Sequence, residues 1–259
     1  MSPRVDVLMP VFNRVGYVEA SINSVLAEVG VDARVVLVDD GSTDGTVELL
    51  LTLAANNPRI VVIQGNHQGV AIARNIAVSA IAAPFVSFLD SDDLFAPGKL
   101  ARQIGKLEAD PSLAAVIGHR RIFRSESNTP WTIEPPLERK LDICLASATF
   151  RRTVFDQLGA FDEELSFGED LDFYLRIIEA DWPIMIETAD SVFHRRHKDN
   201  MTNDTIGLQK FLIRAHHKSM KRRRSAPGEK VNMFFYQDFD ADTVVGRAGK
   251  LSPTAAINP

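Results

Sequence analysis

Short apolar runs alternate with stretches of helical spacing through the first third of the chain, and this alternation limits the possible folds sharply. Residues 5–9 form a run ended by Pro10 and read as a strand. Val18, Ile22, Val25, Leu26 and Val29 then mark one face of a helix. Residues 35–38 are uniformly apolar and stop at Asp39-Asp40-Gly41, as a buried strand opening into a turn would. Asp44 is placed to cap the next helix, whose apolar face carries Val47, Leu50, Leu51 and Ala54. A third strand (60–63), an Ala-rich helix (70–82) and a fourth strand (85–89) follow. Repeated strand–helix units of this kind predict an α/β fold with a mostly parallel central sheet and helices on both faces. Such sheets bind ligands beyond the carboxyl ends of their strands. The acidic groups at 39–40 and 90–93 both fall at such ends, so the two should line one crevice.

The second half is less regular. Residues 125–136 are polar and hold three prolines, which predicts a loop. Residues 143–150 suggest a strand. Leu171, Tyr174, Leu175 and Ile178 make a helical face, and Val192-Phe193 a short strand leading to His194-Arg195-Arg196-His197. Residues 208–220 are helical in pattern, and 246–259, with two glycines and two prolines, read as a mobile tail. One domain over 1–224 is expected, with a ligand-binding half at 1–110 and a second half at 111–224. An extension at 225–259 is expected to be partly disordered.

With a net charge of −5, general nucleic-acid binding is not expected. The charge is uneven: Lys221-Arg222-Arg223-Arg224 follows Arg214 and Lys218. This cluster reads as a solvated helix end, or as contact with an anionic surface. Cys144 is the only cysteine, which excludes an intrachain disulfide and a cysteine-based zinc site. The first residues run straight into a strand without a signal-peptide pattern, and no apolar run could span a bilayer. The expected location is cytoplasmic, with a peripheral contact at the inner membrane face through the basic segment as an extension of that reading.

Asp90-Ser91-Asp92-Asp93 places carboxylates two apart after a buried strand, a spacing that can aim oxygen ligands at Mg²⁺ or Mn²⁺. An acidic turn capping a helix would have the same sequence. The turn beginning at Asp39-Asp40 has some calcium-loop offsets, but the twelfth position is Leu51, where a bidentate Glu is required. It lacks the order of a phosphatase nucleophile. A polar turn, or a carboxylate accepting the N–H of a nucleotide base, remain. Glu169-Asp170 opens a helix, where the dipole favours acids and keeps them ionised.

Several segments together resemble the inverting glycosyltransferases of family 2, which have the GT-A fold. They are Pro10-Val11-Phe12-Asn13-Arg14, Val-Asp-Asp-Gly-Ser-Thr-Asp-Gly-Thr at 38–46, GVAIARNIA at 69–77, FLDSDD at 88–93, Gly168-Glu169-Asp170, and His197 with Asn200-Met201-Thr202. They occur in family order over roughly residues 4–203. The resemblance implies a donor that is a nucleotide diphosphate-sugar, UDP-sugar by default, with Mg²⁺ or Mn²⁺. It implies that Phe12 packs on the base near the Pro10 backbone, that Asp40 accepts the base N–H, and that Asp39 supports that turn. Arg74 would help hold the nucleotide. Asp90, with Ser91 beside it, would lie near the ribose and donor sugar. Asp92 would ligate the metal, with Asp93 as a helper, and His197 would reach the metal or diphosphate. Asp170 would be the base and Glu169 an acceptor-binding neighbour, with Asp172 a weaker candidate base.

Arg195 and Arg196 are further candidates for diphosphate oxygens, and His194 reads as packing or capping. Trp131 is a candidate to stack on an acceptor sugar, whereas Trp182 reads as core. The Gln-x-x-Arg-Trp motif and membrane helices of processive synthases are not found. Acceptor contacts are therefore expected from 125–139, the C-terminal helix or a partner. A saccharide, lipid-linked or other hydroxyl acceptor would fit, as in polysaccharide, lipopolysaccharide or glycoconjugate synthesis. The alternatives are a catalytically silent nucleotide-sugar binding protein, whose motifs should be broken, and a nucleotidyltransferase, which would need a Gly-rich loop and a lysine. The absence of Gly-x-Gly-x-x-Gly after the first strand argues against a dinucleotide-binding oxidoreductase.

Overall fold

The computed structural model describes residues 3–124, 138–141, 144–198, 200, 205–225, 241–245 and 252–253. The elements in the first part are β1 (Val5–Val11), α1 (Val18–Leu26), β2 (Ala33–Asp39), α2 (Thr46–Asn56), β3 (Ile60–Gln64), α3 (Val70–Ser79) and β4 (Phe85–Phe88). Then come β5 (Leu94–Phe95), α4 (Lys99–Ala109), β6 (Ala115–Arg124), β7 (Glu138–Lys140), a 3₁₀ turn (Leu145–Ser147), β8 (Ala148–Arg151) and α5 (Arg152–Leu158). The chain continues through α6 (Glu169–Glu179), β9 (Ile184–Arg196), α7 (Thr205–Ser225), β10 (Thr243–Val245) and β11 (Ser252–Pro253).

These strands form one sheet in the order β11-β10-β9-β6-β8-β4-β1-β2-β3, with β5 on β9 and β7 on β6. β3, β2, β1 and β4 run parallel, as do β6 and β9, while β8 lies antiparallel between β4 and β6. The first four strands end together, which sets the loops at 12–14, 40–45, 65–69 and 89–93 side by side.

Helices cover both faces, and alternate residues of each central strand feed two cores. Val5, Val7 and Met9 of β1 and Val35 and Leu37 of β2 pack with Ile22, Val25, Leu50, Leu100 and Ile104 on one face. Leu8, Val36 and Val38 pack with Ala73, Ala77, Phe155 and Phe173 on the other. Strands buried on both sides read as continuous apolar runs, which is why they were legible in the sequence. A set of rings around Phe150 anchors α6: Phe155 stacks on Phe173 at 4.8 Å, and Phe150 meets Phe173 edge-on at 5.8 Å.

Several expectations are corrected. The helix after β2 begins past Gly45, which holds the left-handed cap position, rather than at an Asp44 cap. Asp44 instead accepts the Thr46 N–H at 3.1 Å from outside the helix. In place of the continuous strand expected at 143–150, residues 145–147 form the 3₁₀ turn and 148–151 form β8. The short strand expected at 192–193 is an internal part of the thirteen-residue β9, which continues through Arg196. Within the expected extension at 225–259, Thr243–Val245 pairs with β9, Val245 is buried, and Asp242 bonds to Lys106 at 2.7 Å. The loop expected at 125–136, with Trp131, lies outside the described residues. Among the described residues no helix is long and apolar enough to cross a membrane.

Lys99, at the start of α4, is fully buried. Its Nζ donates to Ser87 Oγ and the Ala146 carbonyl, each at 2.7 Å, and sits 3.7 Å from the centre of the Phe95 ring. Burial pushes its pKa down to about 7, against the opposing pull of Cys144, Glu28 and Glu187. The unfolded chain therefore binds a proton that the folded one has released between about pH 7 and pH 10. Stability attributable to Lys99 must rise across that window as pH rises. In urea unfolding at pH 7 and pH 9.5, the wild type should gain on the order of 2–3 kcal/mol relative to Lys99→Met. Parallel pH dependence in the two proteins would contradict this assignment.

Candidate active site

The candidate site is built from four strand ends, the start of α6 and the end of β9. The β2 end is held by its own aspartates. Asp39 Oδ1 accepts the N–H groups of Gly41 (3.1 Å) and Ser42 (2.8 Å), while its buried Oδ2 has no partner among the described residues. Asp40 accepts the N–H groups of Gln68 (2.9 Å) and Gly69 (2.7 Å), so its carboxylate sits on the N-terminal end of α3. Gly65 keeps that approach open: a Cβ there would lie 3.2 Å from Asp40 Oδ1.

Near the end of β1, the half-buried Pro10 leads to Phe12, a residue 39 % exposed whose ring lies 4.6 Å from the His67 ring. Phe12 is thus not a core aromatic. His67, at a left-handed φ of 55°, was not singled out in the sequence. Nothing in its sequence neighbourhood marks a ring that lies beside Phe12.

The turn after β4 splits its aspartates between two tasks. Asp92 Oδ2 lies 2.9 Å from His197 Nε2 and 3.3 Å from Arg14 Nε. Burial works against its charge, but the His197 hydrogen bond and the Arg14 charge prevail and hold the carboxyl below the usual range. Asp93 faces the other way and is fully buried. It accepts the Arg195 N–H at 2.8 Å and bonds His194 Nδ1 at 2.8 Å, and burial raises its pKa to about 6 despite His194. Asp93 is therefore an anchor to β9 rather than a metal helper. Arg195 is also corrected: it is buried, donates from Nε to the Asp92 carbonyl at 2.9 Å, and lies over the Tyr17 ring. Tyr17 in turn stacks on His197, with ring centres 5.1 Å apart and planes at 15°. Tyr17 was another residue the sequence did not reveal.

Arg74 connects the remaining parts. It bonds Asp90 Oδ1 at 2.9 Å and forms a close ion pair with Glu169. Burial disfavours its charge, but Glu169, Asp90 and Asp170 outweigh burial and raise its pKa further. Glu169 is pushed up to about 7 by burial, against the pull of Arg74. Asp170 is half-buried beside it in the first turn of α6. Ser91 is buried within the turn. Asp172 is engaged elsewhere, with Arg176 (3.0 Å) and Arg222 (2.8 Å), and leaves the list of candidate bases.

Among the described residues no three His, Cys, Asp or Glu side chains form a ready metal cluster. An ionised Asp92 with His197 at its side nevertheless fits a cation that takes few protein ligands and fills its shell with water and phosphate. The mixed oxygen–nitrogen pair suits Mn²⁺ at least as well as Mg²⁺.

The family model for "Glycosyl transferase family 2" matches residues 6–162, more than half of the chain. The chain belongs to glycosyltransferase family 2. Relatives include a hyaluronan synthase from Pasteurella multocida, 27 % identical over 80 % of this chain and 22 % of its own length. A chondroitin synthase from Escherichia coli is 30 % identical over 68 % of this chain and 27 % of its own. The chain thus spans about a quarter of the length of these relatives. Among solved structures, the mannosyltransferase PcManGT from Pyrobaculum calidifontis, in complex with GDP-Man and Mn²⁺, superposes with a TM-score of 0.69. It is 20 % identical, over 85 % of this chain and 65 % of that one. S. aureus TarS with UDP-GlcNAc gives a TM-score of 0.66 at 18 % identity, over 87 % and 68 % of the two chains. The GT-A fold expected from the sequence is the fold observed.

The Arg74–Glu169 pair is testable by itself. Removing one partner of a buried ion pair leaves an uncompensated charge, which costs about 3 kcal/mol. Arg74→Met should show that loss at pH 8. It should lose less at pH 6, because Glu169 escapes the penalty by taking up a proton. Adding Glu169→Gln should restore most of the stability in chemical unfolding. An equal loss at both pH values, or no rescue, would contradict the pairing.

Proposed function

We propose that this chain transfers a sugar from a nucleotide diphosphate-sugar to an acceptor hydroxyl, with inversion at the anomeric carbon. The observation that carries this reading is the convergence at one set of strand ends of three elements. These are the Asp92–His197 pair, the Arg74–Glu169–Asp90 bridge and the exposed Phe12 ring. Family membership supplies the reaction class.

Phe12, with His67 beside it, offers a flat apolar face for a base. Asp40 is oriented by Gln68 and Gly69 and retains lone pairs to accept a base N–H, since a carboxylate has about four acceptor sites for its two oxygens. Asp39 shapes that loop. Asp90, set by Arg74, is placed for the ribose and donor sugar, next to Ser91. Asp92 and His197 would hold Mg²⁺ or Mn²⁺. Bound there, the cation would supply charge neutralisation to diphosphate oxygens. Arg14 adds a fixed positive charge on the same side.

Asp170 is the proposed base. The N-terminal end of α6 favours its ionised form, and an ionised carboxylate can take the proton of an attacking hydroxyl. Glu169, paired to Arg74, holds that first turn toward Asp90 and contacts the acceptor. The donor is a UDP-sugar by default, with GDP- and dTDP-sugars as alternatives. The acceptor is a saccharide or a lipid-linked sugar in polysaccharide or glycoconjugate assembly.

Release of nucleoside diphosphate from a panel of UDP-, GDP- and dTDP-sugars with saccharide acceptors tests the reading. One donor should be consumed, and Asp170→Asn should lower turnover at least about 100-fold while donor binding changes little. A fully active Asp170→Asn protein would remove Asp170 from the base role.

A further inference from the structure

We propose that the outer face of α7 lies on an anionic lipid surface and so holds the start of α6 at the membrane. This rests on the transferase reading only for its consequence, the delivery of a lipid-anchored acceptor.

The chain as a whole is acidic, with a net charge of −5, yet α7 contains no acidic residue along its twenty-one positions. Its cations divide by face. On the inner side Arg222 pairs with Glu179 (2.6 Å) and Asp172 (2.8 Å), and Lys218 with Glu164 (2.7 Å) and Asp162. Ala215 and Ser219 are buried there, and Phe211 and Leu212 pack against Leu165, Leu171 and Leu175. The basic segment is therefore not simply a solvated helix end: part of it docks the helix.

The outer side carries Lys210, Arg214, Lys221 and Arg224, all exposed. Arg214 also reaches Glu164, at 3.2 Å. Between these cations stand Ile213, 70 % exposed, and Met220, 44 % exposed. Spacings of three, four and seven residues place these six side chains on one stripe, about 20 Å long at 1.5 Å per residue. Large apolar side chains standing between cations on one helical face match a bilayer interface, where the apolar groups enter the acyl boundary and the cations meet phosphate headgroups. A soluble polyanion would use the cations and leave Ile213 and Met220 in water.

The consequence follows from what α7 touches. A Cβ on Gly168 would lie 3.6 Å from Phe211 and from Leu212, and the Phe167 and Phe211 rings are 5.6 Å apart. Gly168 immediately precedes Glu169 and Asp170. A helix seated on the membrane would thus set the proposed base beside the plane at which a lipid-anchored hydroxyl is presented.

The test is co-sedimentation of the full chain, without nucleotide, with vesicles of phosphatidylcholine alone or with about one third phosphatidylglycerol. Binding should require the anionic lipid and weaken as salt is raised. Lys210→Glu/Lys221→Glu/Arg224→Glu should lower partitioning at least about tenfold, and Ile213→Ser/Met220→Ser several-fold, with unchanged thermal melts. Equal binding to both vesicle types, or triple-variant binding equal to wild type, would overturn the proposal. Heparin binding that matches vesicle binding and ignores Ile213→Ser/Met220→Ser would also overturn it, in favour of a soluble polyanion. Nucleotide binding, measured separately on the same proteins, keeps failure here distinct from failure of the transferase reading.

Discussion

The structure depends on two adjacent aspartates that point in opposite directions. Asp93 is bound to the Arg195 N–H and the His194 ring, and Arg195 returns a bond to the Asp92 carbonyl. β5, immediately after this turn, pairs with β9 at Leu94–Phe193 and Phe95–Val192. Residues about a hundred positions apart are thereby fixed to one another, and the turn after β4 cannot move independently of the far end of the sheet. While Asp93 is engaged on the β9 side, the neighbouring Asp92 meets His197 and Arg14. Preorganisation of this kind matters for a site that must stabilise developing charge, since reorienting the groups during reaction would cost what they contribute.

A second constraint joins the two halves from the opposite side. Arg74 stands on α3 among small residues, Ala71, Ala73 and Ala77, which let the helix pack closely on β1 and β2. From there its guanidinium reaches Asp90 after β4 and Glu169 at the head of α6. The ring cluster that fixes Phe173 holds the body of α6, and Arg74 holds its first turn. The first turn of α6 is consequently set by a buried charge pair rather than by a loop. Tyr17 plays a similar part for His197, with Arg195 stacked behind it.

The parallel half of the fold was legible because its strands are buried on both faces and read as apolar runs. Because the apolar runs at 35–38 and 85–89 stop at acidic turns, the gathering of those acidic groups at the strand ends is legible as well. β9 and β6 were largely illegible for a physical reason. Buried positions in them are filled by Glu187, Ser191, Arg195 and His119, which are neutralised or hydrogen-bonded by partners far away in sequence. Such residues break the apolar alternation that marks a strand. Gly118 gives the one local clue, since a Cβ there would lie 1.9 Å from Ser191 Oγ, but its meaning depends on β9 being its neighbour. At the site, sequence reasoning found the aspartates and could not divide their tasks. Asp92 and Asp93 differ only in which side of the turn they occupy, and Asp170 and Asp172 only in which side of α6. His67 and Tyr17 carry no motif at all and become visible only when strand ends are placed together.

Asp92 and His197 are proposed to sit where a divalent cation and a nucleoside diphosphate meet. Calorimetric titration of the full chain with UDP, GDP and dTDP, with and without Mn²⁺, tests it most directly. One nucleotide should bind, Mn²⁺ should strengthen its binding, and Asp92→Ala should remove the Mn²⁺-dependent part while the protein remains folded. Binding that is indifferent to Mn²⁺ and unchanged in Asp92→Ala, or no nucleotide binding at all, would contradict it.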